Sequence, residues 1–198
     1  SELEKESIDT THFSVADKNG NIVSNTYTLN SGFGSGVVID GTGILMNNEM
    51  DDFVSAPGVP NQFGLLGGEA NKIEPFKRPL SSMTPTIVLK KGKPIYATGS
   101  PGGSRIISTV LQFLLNTLVF NMEISDATVI PRIHHQWKPD VVMLETGFDI
   151  QHANEIESLG QKIYFSGPGT ALESIEIKNG LFYGFGDTRR PDSKAKGL

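Results

Sequence analysis

The sequence predicts a mixed α/β or α+β globular fold built as one folding unit. Three observations carry that expectation. Short stretches of alternating polar and apolar residues recur along the chain, and Asn19-Gly20 and Asn179-Gly180 sit between pairs of them as hairpin turns. One longer apolar-rich run, 106–120, has the length of a buried helix rather than a strand. A hydrophobic fraction of 37% beside 22 glycines and 11 prolines describes a loop-rich chain that can still fill a core, and argues against disorder. At 198 residues, nothing in the length requires a second domain.

Taken in order, residues 1–9 are charged and contain no apolar h-region, so no signal peptide is expected at the head of this sequence. They precede Thr10, a hydroxyl at the start of the strand-like run 11–17, and read as a segment to be removed so that Thr10 becomes an N-terminus. A turn over 17–21 leads to a second strand, 21–29, and the hairpin brings Thr28 close to Thr10. The glycine-rich loop 30–36 lacks the Gly-Lys-Ser/Thr ending of a phosphate-binding loop, so nucleotide binding is not expected. Short strands are expected at 37–39 and 44–46.

The acidic stretch 47–53 is either a solvated turn or a pocket for an ammonium group or a hard metal; it lacks the alternating ligand spacing of a calcium loop. Residues 56–71 carry Pro57, Gly58, Pro60, Gly64, Gly67 and Gly68 with little periodicity, as functional loops and lids do. Ser81 and Ser82 precede the strand 86–89; they are ordinary loop residues or hydroxyls able to hold a carboxylate. After a turn at 91–94 and a strand at 95–98, Gly99-Ser100-Pro101-Gly102-Gly103-Ser104 enters a helix over 105–122. Glycine lets a ligand approach the backbone closely, and N–H groups ahead of a helix start point the same way, which suits an anion or oxyanion.

A short second helix is expected from a cap at Ser125 to just before Pro131. His134 and His135 are adjacent, share no face and have no His-x-His or Glu-x-x-His spacing, so packing and hydrogen bonding are expected of them and no metal site. A strand at 141–145, a helix at 149–159 closed by Gly160, a strand at 162–165 and a hairpin of 174–178 with 181–185 follow. The polar tail 187–198 is expected to fray. The run 106–120 is interrupted by Ser108, Thr109, Gln112, Asn116 and Thr117 and is shorter than the ~20 residues of a membrane span, so no span is expected in this chain.

Composition narrows the chemistry. A net charge of −5 disfavours nucleic acid as a partner, and the absence of cysteine excludes disulfides, thiolate catalysis and Cys-ligated zinc. Acyl transfer needs a nucleophile, a base and donors aimed at the oxyanion. No Ser-His-Asp set is evident. Cleavage before Thr10 would create both missing parts at once, since a free α-amine with a pKa of ~7.7–8.0 can take the hydroxyl proton.

Five stretches then carry a family resemblance: 10–17 (Thr-Thr-His-Phe-Ser-Val-Ala-Asp), 26–30 (Thr-Tyr-Thr-Leu-Asn), 45–53 (Leu-Met-Asn-Asn-Glu-Met-Asp-Asp-Phe), 78–86 (Arg-Pro-Leu-Ser-Ser-Met-Thr-Pro-Thr) and 99–105 (Gly-Ser-Pro-Gly-Gly-Ser-Arg). In this order and spacing, over residues 6–187, the chain resembles the small catalytic subunit of γ-glutamyltranspeptidase. The resemblance implies an α+β N-terminal-nucleophile hydrolase, an αββα sandwich completed by a large subunit cut from the same precursor. Residues 1–9 would be the precursor junction and 10–198 the small subunit, a single domain. Thr10 would be the nucleophile of both self-cleavage and γ-glutamyl transfer, with Thr28 holding its hydroxyl. Gly102 and Gly103 would form the oxyanion hole through their N–H groups. Asn30, Glu49 and Asp52 would bind the α-ammonium of the glutamyl group, and Ser81 and Ser82 its α-carboxylate.

No cofactor is implied, the substrate would be a small γ-glutamyl compound such as glutathione, and the location would be periplasmic or secreted. The family's α-carboxylate arginine belongs to the large subunit, and Phe63 stands where relatives often carry a lid tyrosine, without a hydroxyl to donate. Two other readings compete with this one. A related acylase or a poly-γ-glutamate enzyme is disfavoured for glutaryl groups by Asn30, Glu49 and Asp52, which suit an α-ammonium. An unprocessed, non-catalytic paralogue is disfavoured by the intact Thr10, Thr28 and Gly102-Gly103 set.

Overall fold

The computed structural model describes residues 9–167 and 169–197; the expected junction segment, Asp9 excepted, lies outside the described residues. The fold is α+β. Strands β1 (Thr11–Ala16) and β2 (Ile22–Tyr27) form a hairpin in the register Thr11↔Tyr27 to Ala16↔Ile22. Its turn is fixed by Asp17, whose Oδ1 accepts the N–H groups of Asn19 and Asn21, each at 2.9 Å, and by Gly20 at φ +88°. A four-stranded sheet has the order β3 (Thr86–Lys90), β4 (Lys93–Thr98), β8 (Glu173–Lys178), β9 (Leu181–Gly186), all antiparallel. A smaller sheet pairs β5 (Ile133–His134) antiparallel and β7 (Ile163–Ser166) parallel to the central β6 (Val142–Glu145). Three helices complete the set: α1 (Arg105–Leu118), α2 (Ile124–Val129) and α3 (Ile150–Ser158).

The hairpin docks on the large sheet through its polar face. Ser14 donates to the Glu173 carbonyl at 2.9 Å and Ser24 to the Thr98 carbonyl at 2.8 Å. His12, buried on the same face, lies 2.8 Å from Thr26 Oγ1 and 3.2 Å from Ser14 Oγ. The alternation in β1 and β2 therefore runs opposite to a half-buried strand: Phe13, Val15, Val23 and Tyr27 point outward and stay exposed.

The main core lies between the large sheet and the helices. Tyr96, Phe113, Ile124, Ala127 and Leu172 are buried together, and the Tyr96 and Phe113 rings meet edge-to-face at 5.9 Å between centroids. Burial of each large side chain contributes about 1.5–3 kcal/mol. A second cluster of Val142, Leu144 and Ala153 joins α3 to the small sheet. Helix α1 buries one face, including Ile106, Val110 and Phe113, but Ile107, Leu111, Leu115 and Leu118 form an exposed apolar stripe on another. It is half covered, amphipathic rather than buried, and it stops at Leu118 instead of the expected 122. No helix among the described residues is long and apolar enough to cross a membrane.

Several sequence expectations are corrected. Residues 37–39 and 44–46 make a single bridge, Val38↔Leu45, instead of strands. Helix α2 begins one residue before Ser125, after Glu123, without a side-chain cap. Asp149 caps α3 from outside it, accepting the N–H groups of Gln151 and His152. The largest correction is at the C-terminal end, which does not fray where it begins. Asp187 is fully buried, Arg189 pairs with Glu145 at 2.5 Å (Nε–Oε1) and 2.6 Å (Nη2–Oε2), and Ser193 bonds to the Glu173 carboxylate. Charged residues in a polar tail read as solvated, yet these find fixed partners of opposite sign.

Candidate active site

Thr10 immediately precedes β1 and is buried. Its hydroxyl donates to Thr28 Oγ1 at 3.1 Å, and Thr28 Oγ1 also accepts the Asn30 N–H at 2.9 Å. The hairpin register therefore aims one hydroxyl at another, and Asn30 fixes the second. The Thr10 carbonyl accepts from Arg190 Nη2 at 2.9 Å, so the C-terminal segment ties down the backbone of the threonine. Two residues on, the strand period of two places His12 on the same face. Burial lowers the His12 pKa to about 4, which keeps the ring neutral. It fills the space over Gly99, where a Cβ would collide with the ring.

From Gly99 the chain turns into α1. Gly102 has φ +130° and is backed by Thr170 and the Gly169 carbonyl; Gly103 has φ +53°. Their carbonyls accept the first helical N–H groups, from Arg105 at 3.1 Å and Ile106 at 3.3 Å. Both glycines are buried. Among the described residues, neither glycine N–H has an acceptor. Thr170 is held in turn by Arg132, which reaches its hydroxyl at 2.8 Å and pairs with Asp187 at 2.5 Å. The buried cluster at the C-terminal end thus sets the floor under Gly102.

Asn30 adopts φ +78°, and its Nδ2 donates to the Asn48 carbonyl at 3.2 Å. Asn48 Oδ1 accepts the Ser31 N–H at 3.0 Å. These bonds tie the start of the acidic 3₁₀ turn Glu49–Asp52 to Asn30, whose N–H meets Thr28. Burial, then a hydrogen bond and repulsion from Asp52, raise the Glu49 pKa to about 7; burial likewise raises Asp52. Two half-buried carboxylates pressed together in this way favour a cation between them. Ser81 and Ser82 reach the turn indirectly: Asn71 accepts the Leu80 N–H at 2.9 Å on Oδ1 and donates to the Asp52 carbonyl at 2.7 Å. Ser81 is exposed, with its hydroxyl accepting the Met83 N–H at 3.2 Å, and Ser82 is half-buried.

The irregular segment 56–71 closes the ring. Asp51 accepts the Gln62 N–H at 3.0 Å, and Ser31 donates to Gln62 Oε1 at 2.9 Å. At its tip Phe63 lies on Gly103, where a Cβ would stand 2.8 Å from the Phe63 ring. Candidate nucleophile, donors, acidic turn and lid therefore share one neighbourhood. Sequence reasoning missed three supports of it: Asn48, Asn71 and Arg190. Amides in loops and a cation in a polar tail give no periodic signal.

With Thr10 at the head of a hairpin strand and a glycine turn leading into α1, the chain has the fold of the N-terminal-nucleophile hydrolases. The chain belongs to the γ-glutamyltranspeptidase family: residues 1–197 match the family model described as gamma-glutamyltranspeptidase. It is 50% identical over 193 residues to the glutathione hydrolase proenzyme of Escherichia coli (strain K12), covering 97% of this chain and 33% of that protein. To the glutathione hydrolase proenzyme of Pseudomonas sp. (strain A14) it is 46% identical, covering 97% of this chain and 35% of that one. Among solved structures, a Helicobacter pylori gamma-glutamyltranspeptidase T380A mutant superposes with a TM-score of 0.87 at 49% identity, covering 91% of this chain and 100% of that chain. The chain spans about a third of the length of the curated relatives it matches.

Proposed function

We propose that this chain is the catalytic part of a γ-glutamyltransferase and glutathione hydrolase, released when its precursor cuts itself between Asp9 and Thr10. The observation that carries the reading is the bond from the Thr10 hydroxyl to Thr28, in a chain whose Gly102 and Gly103 N–H groups have no acceptor among the described residues. Thr10 Oγ1 attacks the γ-carbonyl carbon of a γ-glutamyl amide, and its proton passes to the newly freed α-amine. Gly102 and Gly103 donate to the oxyanion. The C–N bond then breaks, the amine leaves with the proton, and a γ-glutamyl-threonyl ester remains for water or an acceptor amine to open. Thr28 orients the nucleophile, Asn30, Glu49 and Asp52 hold the α-ammonium, and Ser81 and Ser82 hold the α-carboxylate. Self-cleavage uses the same hydroxyl on the Asp9 carbonyl carbon: the Asp9–Thr10 C–N bond breaks as an Asp9 ester forms on Thr10 Oγ1, the nitrogen takes the hydroxyl proton, and water opens the ester to free Thr10 with its α-amine.

The partner is the large subunit from the same precursor. Two observations support it: the outward apolar faces of β1, β2 and α1, and the two thirds of the relatives' length outside this chain. A periplasmic or secreted location goes with this reading. The test is to trap the ester. Matured protein quenched in acid during turnover of a γ-glutamyl anilide should carry a γ-glutamyl group on the peptide beginning with Thr10. An adduct on any other residue contradicts the assignment.

A further inference from the structure

Gln136, in the segment after β5, joins three parts of the molecule. Its Nε2 donates to the Phe63 carbonyl at the lid tip, 3.2 Å, and to the Lys138 carbonyl, 3.1 Å. Its Oε1 accepts from the Ser104 hydroxyl at 2.7 Å and faces His134 Nε2 at 3.0 Å. Two carbonyls on one side fix the amide's orientation, because only the NH₂ end can donate to them. Oε1 must then accept from His134, which places the proton on Nε2; the Ser108 hydroxyl lies 2.8 Å from Nδ1. Ser104 directly follows Gly103 and leads into α1.

Among the described residues, no other hydrogen bond reaches the lid tip from that side. Residues 61–65 form a turn closed on itself, with Asn61 Oδ1 accepting the N–H groups of Phe63 and Leu65, each at 3.0 Å. Asp51 and Ser31 tether Gln62 from the acidic-turn side. Gln136 tethers the neighbouring residue from the opposite wall, and its Nε2 sits 3.3 Å from where a Cβ on Gly64 would lie. Because Phe63 has no hydroxyl, a backbone carbonyl is the polar group the lid tip offers to that wall.

We infer that Gln136 is a positioning residue that latches the Phe63 lid over the Gly102–Gly103 donors and so controls the access of water to the acyl ester. The inference rests on the acyl-transfer reading above. A latched phenyl ring over the donors excludes water while the ester waits for an acceptor; an unlatched one lets water compete.

The test uses full-length precursor carrying Gln136→Glu, which keeps size and acceptor but cannot donate to the Phe63 carbonyl, alongside Gln136→Met and Ser104→Ala. Loss of one such bond should speed amide exchange across 61–65 about threefold to tenfold. The ratio of transfer to hydrolysis should fall by a similar factor in Gln136→Glu and Gln136→Met, and by less in Ser104→Ala, while the rate of precursor cleavage stays within about twofold. Unchanged exchange and an unchanged transfer ratio in Gln136→Glu overturn the latch. Should Gln136→Met not mature, the near-isosteric Gln136→Glu decides alone. Should the parent protein turn over no γ-glutamyl amide, the acyl-transfer reading fails, and lid exchange still decides whether Gln136 holds the lid.

Discussion

Replacing Asp187 tests whether the C-terminal end holds up the site floor. Its Oδ2 accepts from Arg132 Nη2 at 2.5 Å and from the Leu172 N–H at 2.9 Å, and its Oδ1 from the Arg189 N–H at 3.0 Å and Nη1 at 3.1 Å. The four charges Arg132, Arg189, Asp187 and Glu145 balance, so Asp187→Ala leaves one uncompensated buried cation. Removing one partner of a buried pair costs ~3–5 kcal/mol, and the orphaned Leu172 N–H adds ~1–3 kcal/mol. Even the lower total, about 4 kcal/mol, is a large part of a domain's ~5–15 kcal/mol. Melting of full-length precursor, with Thr10→Ala in both parent and variant to keep the chains whole, should fall by about 3 °C or more, the precursors of the relatives being about three times the length of this chain.

The pH dependence has a definite sign. Burial pushes the Asp187 carboxyl up, but the Arg132 guanidinium and the backbone donors outweigh it and hold the group below its ordinary range. Its contribution is therefore present above the unfolded value of ~3.9 and lost as pH falls through the lower folded one. Asp187→Asn should flatten that acid slope. A melting loss under about 1 °C in Asp187→Ala, or an unchanged slope in Asp187→Asn, refutes the reasoning.

Two further outcomes are expected. Because Glu49 titrates near 7 when no cation faces it, binding a donor ammonium releases a proton; the donor KM should rise as pH falls below about 7, by at most about tenfold per unit. Asp52→Asn removes the neighbouring charge and should move that break to lower pH, which a KM–pH series in both proteins will show. Gly103→Ala places a Cβ in a left-handed backbone and 2.8 Å from the Phe63 ring, so kcat should drop about tenfold or more through the displaced lid and donors. Gly41→Ala, at φ +74° but facing open space, should leave kcat at the parent value.

Much of the fold was legible wherever local pattern and local structure coincide. The Asn19-Gly20 and Asn179-Gly180 hairpins, the glycine turn into α1 and the run of strands and helices from Val142 onward all follow from turn chemistry and period. The pairing of Thr10 with Thr28 was legible too, because a hairpin register fixes cross-strand neighbours. What escaped was long-range. Arg190 reaches Thr10 across 180 positions, and Arg132 meets Asp187 across 55. The exposed stripe on α1 read as core because apolar periodicity reports what a face is made of, and not what covers it. Among the described residues, the stretch holding Ser81 and Ser82 is tied to the acidic turn through Leu80 and Asn71, an amide without a pattern of its own.

The central claim is that Thr10 is a nucleophile held behind the peptide bond to Asp9. Intact mass of the full-length precursor, followed over time with and without Thr10→Ala, tests it most directly. The parent should split between Asp9 and Thr10 and gain γ-glutamyl-anilide turnover in step with the split, and Thr10→Ala should stay whole and inactive. A parent that remains uncut while turning over substrate, or a Thr10→Ala chain that splits at the same bond, contradicts it.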